Sequence, residues 1–475
     1  MPDLSLSLAL VTLFWCLFIF DGGHKLFRDS DTGWHIRTGE RILATGLLPA
    51  VDPYSFTRGG AAWMDWEWGA DVVSGAVHRW AGLRGVAVLF AVTIAVCSFL
   101  WTRLTWVAGG DFLVACFFAL PMLSTVNMHW LARPHVFGWV LLVVWLLYLE
   151  CGASFSSVEA SASLGGPKAP SELKLAAQLI ALIFGAFWAN IHGSFVIAPI
   201  IALCYRRYVA ALAFTAGTLL NPYGLNLHRH IVQYLTDREL LARVGEFQSF
   251  NFHADGAQWI LLTVLLAMAG VVLALQHRRI DHALVMLLLT AMSLRSARGI
   301  PILALCALPL ANAHIARALK GPALEYSSRL RAIDRGLNGW MWAPIAVLLV
   351  CLIPAPASAG FPPDQFPVAA STAVAALPTN ARIVAPDKFG GYLIYRFNGD
   401  RKVFFDGRSD FYGAQFMKDY LKLMEARPGW RDIAARYGFT HALLPIDSPL
   451  ADALAASGWK TTYKDGTAAL LARPE

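Results

Sequence analysis

Apolar runs alternate along the chain with short polar breaks, near residues 4–20, 84–106, 111–128, 134–150, 174–190, 194–205, 208–220, 258–276, 281–294, 299–316 and 340–356. A membrane-spanning helix needs about 20 apolar residues, so the pattern predicts about eleven transmembrane helices. The first run has no basic flank and no small-residue cleavage site, and it reads as an uncleaved span. Three regions interrupt the pattern. Residues 21–83 hold eight acidic residues and five tryptophans, the composition of amphipathic helices lying in the headgroup layer. Residues 152–172, rich in Ser, Ala, Gly and Pro, read as a flexible linker.

The third region begins after the last span. A Pro/Ala linker over 357–380 leads to strand-like runs Ala381–Ala385, Tyr392–Phe397, Lys402–Phe405 and His441–Pro445, helix-like segments Ala414–Ala426, Trp430–Tyr437 and Leu450–Ser457, and a pair of strands around Asp465-Gly466. The expected organisation is a membrane domain over 1–356 and a small soluble α/β domain over 381–475, large enough for its own core.

Composition agrees. The chain is 57% hydrophobic and 15% charged, with a mean hydropathy of +0.51, which excludes a soluble enzyme. The net charge of +7 does not point to nucleic acid, because the arginines at 206–207, 278–279 and 317–335 sit in short breaks between spans, as in the inner loops of membrane proteins. With an odd number of spans and the N-terminus inside, the first loop and the C-terminal domain both fall on the outer side. The seven cysteines lie in or beside apolar runs and form neither a disulfide framework nor a thiolate metal site.

Candidate chemistry concentrates on that outer side. In Arg28-Asp-Ser-Asp-Thr-Gly-Trp-His35, two carboxylates and a histidine can hold a divalent cation such as Mg or Mn through Asp29, Asp31 and His35, or place Asp29 or Asp31 as a general base. Helix capping by one of the acids is the alternative. Polar residues also gather at the outer ends of spans: His129, Arg133, His135, Asn190, His192, Tyr223, His228, His230, Glu246, His253, Arg295 and Arg298. Ionisable groups at membrane depth usually face a functional cavity, and a group holding Arg133, His135, His192, Arg295 and Arg298 suits a phosphate or diphosphate. In the C-terminal domain, Asp406, Arg408, Asp410 and Tyr412 follow a strand, where ligands bind in α/β sheets; a structural Asp406–Arg408 contact is equally compatible. No phosphate-binding loop, dinucleotide fingerprint or hydrolase motif is present.

The first span, the Asp29-Ser-Asp31 motif, the long outer loop, some ten further spans and a C-terminal α/β domain together resemble the GT-C class of polytopic glycosyltransferases. Leu48-Pro49, Asp52-Pro-Tyr-Ser-Phe-Thr57, Trp66-Glu-Trp68, Ala132-Arg-Pro-His135, Trp188-Ala-Asn-Ile-His-Gly193, Asn221-Pro-Tyr-Gly224 and Val403-Phe-Phe-Asp-Gly-Arg408 are similar to a bacterial branch of that class. The resemblance implies an enzyme of the bacterial inner membrane, N-terminus cytoplasmic and C-terminal domain periplasmic. It would transfer a sugar from a polyprenyl-phosphate or polyprenyl-diphosphate donor to a glycan, lipid or protein acceptor, with Asp29 or Asp31 as base or metal ligand. A Trp-Trp-Asp sequon-binding motif is absent, which argues against Asn-linked protein glycosylation. The alternatives are a flippase for lipid-linked substrates and a non-catalytic envelope assembly factor.

Overall fold

The computed structural model describes residues 2–19, 21–162, 171–319, 321–352 and 359–474. The membrane part is built from α1 (Leu4–Phe18), α2 (Asp31–Thr45), α3 (Trp68–Val107), α4 (Phe112–Val126), α5 (His135–Ala162), α6 (Ser171–Ala189), α7 (Ile197–Cys204), α8 (Tyr208–Gly217), α9 (Leu225–Thr236), α10 (Arg238–Leu241), α11 (Ala257–Gln276), α12 (Ile280–Arg295), α13 (Gly299–Ala318), α14 (Pro322–Gly336) and α15 (Ala343–Leu352). Among the described residues, five helices are long and apolar enough to cross a membrane, starting at Trp68, Phe112, His135, Ala257 and Gly299. The expected eleven is not reached on length alone. α7 and α8, with 8 and 10 residues, rise about 12 and 15 Å, half of a bilayer core of about 30 Å, and they pack on each other. Cys16, Cys97, Cys116, Cys151, Cys204 and Cys306 are free thiols. Residues 152–162 of the expected linker belong to α5, and 163–170 lie outside the described residues.

The first loop is more ordered than its composition predicts. α2 and the first part of α3 pack face to face, and Gly82 (φ 61°) breaks α3 where the loop segment ends and the apolar run begins. Gly39 lets the two backbones touch: a Cβ there would lie 1.7 Å from the Asp71 carbonyl oxygen.

The C-terminal region forms α16 (Ala370–Ala375), β1 (Ile383–Val384), α17 (Asp387–Arg396), α18 (Ser409–Met424), α19 (Trp430–Tyr437), β2 (His441–Pro445), α20 (Pro449–Ala456), β3 (Lys460–Lys464) and β4 (Ala468–Ala472). The sheet runs β1-β2-β4-β3, with β1 parallel to β2 and the other pairs antiparallel. Two expected strands are corrected. Tyr392–Phe397 lies mostly in α17, because Gly390 and Gly391 allow that helix to press against the Phe405 carbonyl and Ser30, and tertiary packing overrides the β-preference of Tyr, Leu and Ile. Lys402–Phe405 stays outside the sheet and pairs instead with the first loop, where Val403 N–H donates to the Tyr54 carbonyl (2.9 Å) and Phe56 N–H to the Val403 carbonyl (3.0 Å). One buried cluster is formed almost entirely by the region itself, around Phe404, Phe416, Leu423, Leu444 and Leu471, with Tyr234 and Leu240 added from α9 and α10; in a second, Trp34, Tyr54 and Trp63 of the first loop join Ile383, Phe389, Leu443 and Leu470. The expected linker carries α16 and buries Phe361 and Phe366 against the membrane part. The first loop, the ends of α4, α6 and α12, and the C-terminal region therefore meet at one end of the bundle.

Candidate active site

The Asp29-Ser-Asp31 turn serves capping and charge together. Asp29 Oδ1 accepts the Asp31 N–H (2.9 Å) and closes the turn that opens α2, while its Oδ2 accepts from Arg133 Nη1 (2.8 Å). Asp31 Oδ2 meets Arg133 Nη2 at 2.8 Å. Arg133 sits in the break before α5, where the following proline separates two helices, and Nη1 also reaches Glu246 Oε1 at 3.1 Å. Glu246, in a single turn between α10 and α11, accepts from Arg298 Nε through Oε2 (2.6 Å). Arg298 lies at the start of α13, its guanidinium 4.4 Å from the Phe247 ring centre. Three carboxylates thus share two guanidiniums, and Glu246 bridges both.

A second group lies beside the first. His35, one turn into α2, is buried, with Nδ1 2.6 Å from Asp71 Oδ1 and Nε2 3.8 Å from Glu67 Oε2. Glu67 immediately precedes α3, and its Oε1 is 3.2 Å from His192 Nε2. The Ser194 N–H points at His192 Nδ1 (3.1 Å), which marks that nitrogen as the unprotonated one. Asp65 and Asp71 each leave one buried carboxylate oxygen without a hydrogen-bond partner among the described residues.

Other sequence candidates hold the scaffold. Asn190 accepts from Trp68 Nε1 (2.9 Å) and donates to the carbonyls of Ala186 (2.7 Å) and Leu220 (2.9 Å), and the Tyr223 hydroxyl donates to the Asp65 carbonyl (3.0 Å). His135 packs on Trp139, its Nε2 3.0 Å from the His129 carbonyl oxygen. Arg295 is exposed at the end of α12 and makes no ion pair among the described residues. Asp410 pairs with His230 of α9 at 3.0 Å. Asp406, Arg408 and Tyr412 are buried and bonded to one another. Two open cavities, of about 270 Å³ beside Arg103 and Arg331 and about 250 Å³ beside Arg37 and Lys402, do not open onto the Arg133 cluster.

Asp29, Asp31 and His35 do not fit a divalent cation. Both aspartates are turned onto Arg133 and His35 is turned onto Asp71, and among the described residues no group of three or more His, Cys, Asp or Glu is placed to hold a metal ion. Glu67 and Asp71 were not singled out in the sequence. The available signal was an acid between two tryptophans, Trp66-Glu67-Trp68, an improbable place for a solvated carboxylate.

Burial sets the proton affinities. It pushes the Asp31 carboxyl up to about 8 despite Arg133, with Asp29 and Glu246 adding to the rise, and pushes Glu67 up to about 8 and Asp65 up to about 7. Burial also opposes the charge on Glu246, but Arg298 and Arg133 outweigh it and hold that group well below the carboxylate range. Burial and nearby Arg298 lower His192 to about 3, and burial with Arg133 lowers His35. A carboxyl that binds its proton more tightly folded than unfolded stabilises the fold at low pH, and that contribution is lost as pH rises through the folded value. The lowered values of His35 and His192 act in the opposite sense below the free imidazole value of about 6.5, so the unfolding midpoint of the solubilised protein is expected to fall as pH is raised from about 6.5 to about 8, and Asp31→Asn should flatten part of that slope. A midpoint that climbs steadily over the same range contradicts these assignments.

Among solved structures, the chain is similar to the crystal structure of ArnT from Cupriavidus metallidurans bound to undecaprenyl phosphate, over 99% of each chain, at 11% identity and a TM-score of 0.43. No family model matches the chain, and no curated protein matches it.

Proposed function

We propose that the protein is a membrane glycosyltransferase that moves a sugar from a polyprenyl-phosphate or polyprenyl-diphosphate donor to an acceptor on the outer side of the bacterial inner membrane. The observation that carries this reading is the Glu246 carboxylate lying between the guanidiniums of Arg133 and Arg298. A carboxylate held by two arginines occupies the place that suits a phosphate, whose oxygens match guanidinium geometry. The Asp29-Ser-Asp31 turn fixes Arg133 for that task, and a first-loop carboxylate takes the acceptor proton. The arginine-rich breaks at the opposite end of the bundle support the outward orientation of the site. Clustered acids beside paired cations fit group transfer better than passive lipid movement.

Binding of undecaprenyl phosphate to the full-length protein tests the reading in two directions. Glu246→Gln removes the internal competitor and should tighten binding, whereas Arg298→Ala removes a guanidinium and should weaken it about tenfold, or 1.4 kcal/mol. Binding indifferent to both changes rules out a phosphate site there.

A further inference from the structure

Asp29, Asp31 and Glu246 are all turned onto guanidiniums, so the oxygens that hold Arg133 and Arg298 are not directed at an acceptor hydroxyl. Glu67 differs. Its side chain is 13% exposed and makes no ion pair with Lys or Arg among the described residues; it contacts two imidazoles, His192 at 3.2 Å and His35 at 3.8 Å. Each imidazole is fixed from behind, His192 by the Ser194 N–H and hydroxyl and His35 by Asp71. The charged groups that act on Glu67 from its surroundings are Arg133, Arg298, Asp410 and Asp65. The backbone beneath it is pinned as well: Gly69 N–H donates to the Asn190 carbonyl (3.0 Å), and Gly193 leaves room for the Trp66 ring, which a Cβ would meet at 2.1 Å. Behind His35, Asp71 and Asp65 each keep a buried oxygen free of any hydrogen-bond donor among the described residues, a place for a proton between adjacent carboxylates.

We propose that Glu67, rather than Asp29 or Asp31, is the catalytic residue that takes the proton from the acceptor hydroxyl, with His192 and His35 as positioning residues. This rests on the glycosyltransferase reading above. In the step, the acceptor oxygen bonds to the anomeric carbon as the bond from that carbon to the donor phosphate oxygen breaks. The phosphate leaves with the bonding pair towards Arg133 and Arg298, and the acceptor proton passes to Glu67. Burial raises the Glu67 carboxyl to about 8, which lets it exchange a proton near neutral pH.

The test uses the full-length protein in nanodiscs, undecaprenyl phosphate as the binding probe, and a set of radiolabelled undecaprenyl-phosphate sugars with spheroplast membranes as acceptor. Glu67→Gln should lower kcat about a hundredfold or more, remove the acid limb of the pH–rate profile, and leave undecaprenyl phosphate affinity within about twofold. Glu67→Asp should recover part of the rate. His192→Gln, which keeps Glu67, should move the midpoint of that limb without removing it; a limb that stays in place overturns the proposal even if Glu67→Gln fails to fold. If Glu67→Gln keeps wild-type kcat and limb while Asp31→Asn loses them, Glu67 is overturned and the glycosyltransferase reading stands. If the wild-type protein neither binds undecaprenyl phosphate nor transfers sugar, both fall.

Discussion

Replacing Arg408 with methionine is expected to destabilise the full-length protein severely. Arg408 is buried among Asp406 and Asp52, with Nε 2.8 Å from Asp406 Oδ1 and Nη2 2.7 Å from both Asp406 Oδ2 and Asp52 Oδ1, and the Tyr412 hydroxyl donates to Asp406 at 3.1 Å. Its Nη1 has no hydrogen-bond partner among the described residues. The rings of Trp63 (4.5 Å), Phe411 (4.9 Å) and Tyr54 (5.3 Å) surround the guanidinium instead, and cation–π attraction takes the place of a hydrogen bond there. One cation thus serves two buried carboxylates from distant parts of the chain. Removing one partner of a buried pair costs about 3–5 kcal/mol, a large share of a total stability of about 5–15 kcal/mol. Adding Asp52→Asn and Asp406→Asn should recover much of the loss, since amides need no counter-charge. Size exclusion and thermal unfolding in detergent read both outcomes, and an Arg408→Met protein that melts like wild type sinks the argument. The acceptor-contact role expected of Asp406, Arg408 and Tyr412 gives way to a structural one, because these groups join the first loop to the C-terminal region. For the same reason, deleting residues 361–475 should expose the buried faces of Trp34, Tyr54 and Trp63 rather than leave a working membrane half.

If the protein is the glycosyltransferase proposed above, Arg133→Met should lower transfer about a hundredfold or more. Its guanidinium is the common partner of Asp29, Asp31 and Glu246, and three carboxylates left with Arg298 alone repel one another. Loss of a preorganised charge at a leaving phosphate costs about a hundredfold to a thousandfold in kcat. Stability and catalysis can be separated here. Asp29→Asn and Asp31→Asn added to Arg133→Met should restore the unfolding midpoint but not turnover. Arg133→Lys keeps the charge but cannot span three carboxylates with a planar fork, and should recover only part of either. Wild-type transfer by Arg133→Met removes Arg133 from the mechanism.

The sequence by itself determined the membrane class and elements whose signals are local. α19 and β2 fall where their periodicity puts them, α20 lies within a residue of its expected bounds, and the Asp465-Gly466 turn joins β3 to β4. Hydrophobic period and turn chemistry are encoded within a dozen residues, so one stretch suffices to read them. The sequence also placed Asp29, Asp31, Arg133, His192 and Arg298 on one side, because helix parity follows from counting runs. Tertiary structure alone decided the partners. It turned both aspartates onto Arg133, inserted Glu246 between two arginines, buried Arg408 against Asp52, and made Asn190 and Tyr223 supports of the Asp65–Gly69 segment. It also converted most of the expected strand Tyr392–Phe397 to helix, because Gly390 and Gly391 allow a close helix contact that outweighs local β-preference. Glu67 became visible only at this level. A carboxylate's role depends on which charges burial brings within reach, and for Glu67 two of those charges, Arg298 and Asp410, come from residues more than a hundred positions away, beyond what any local pattern records.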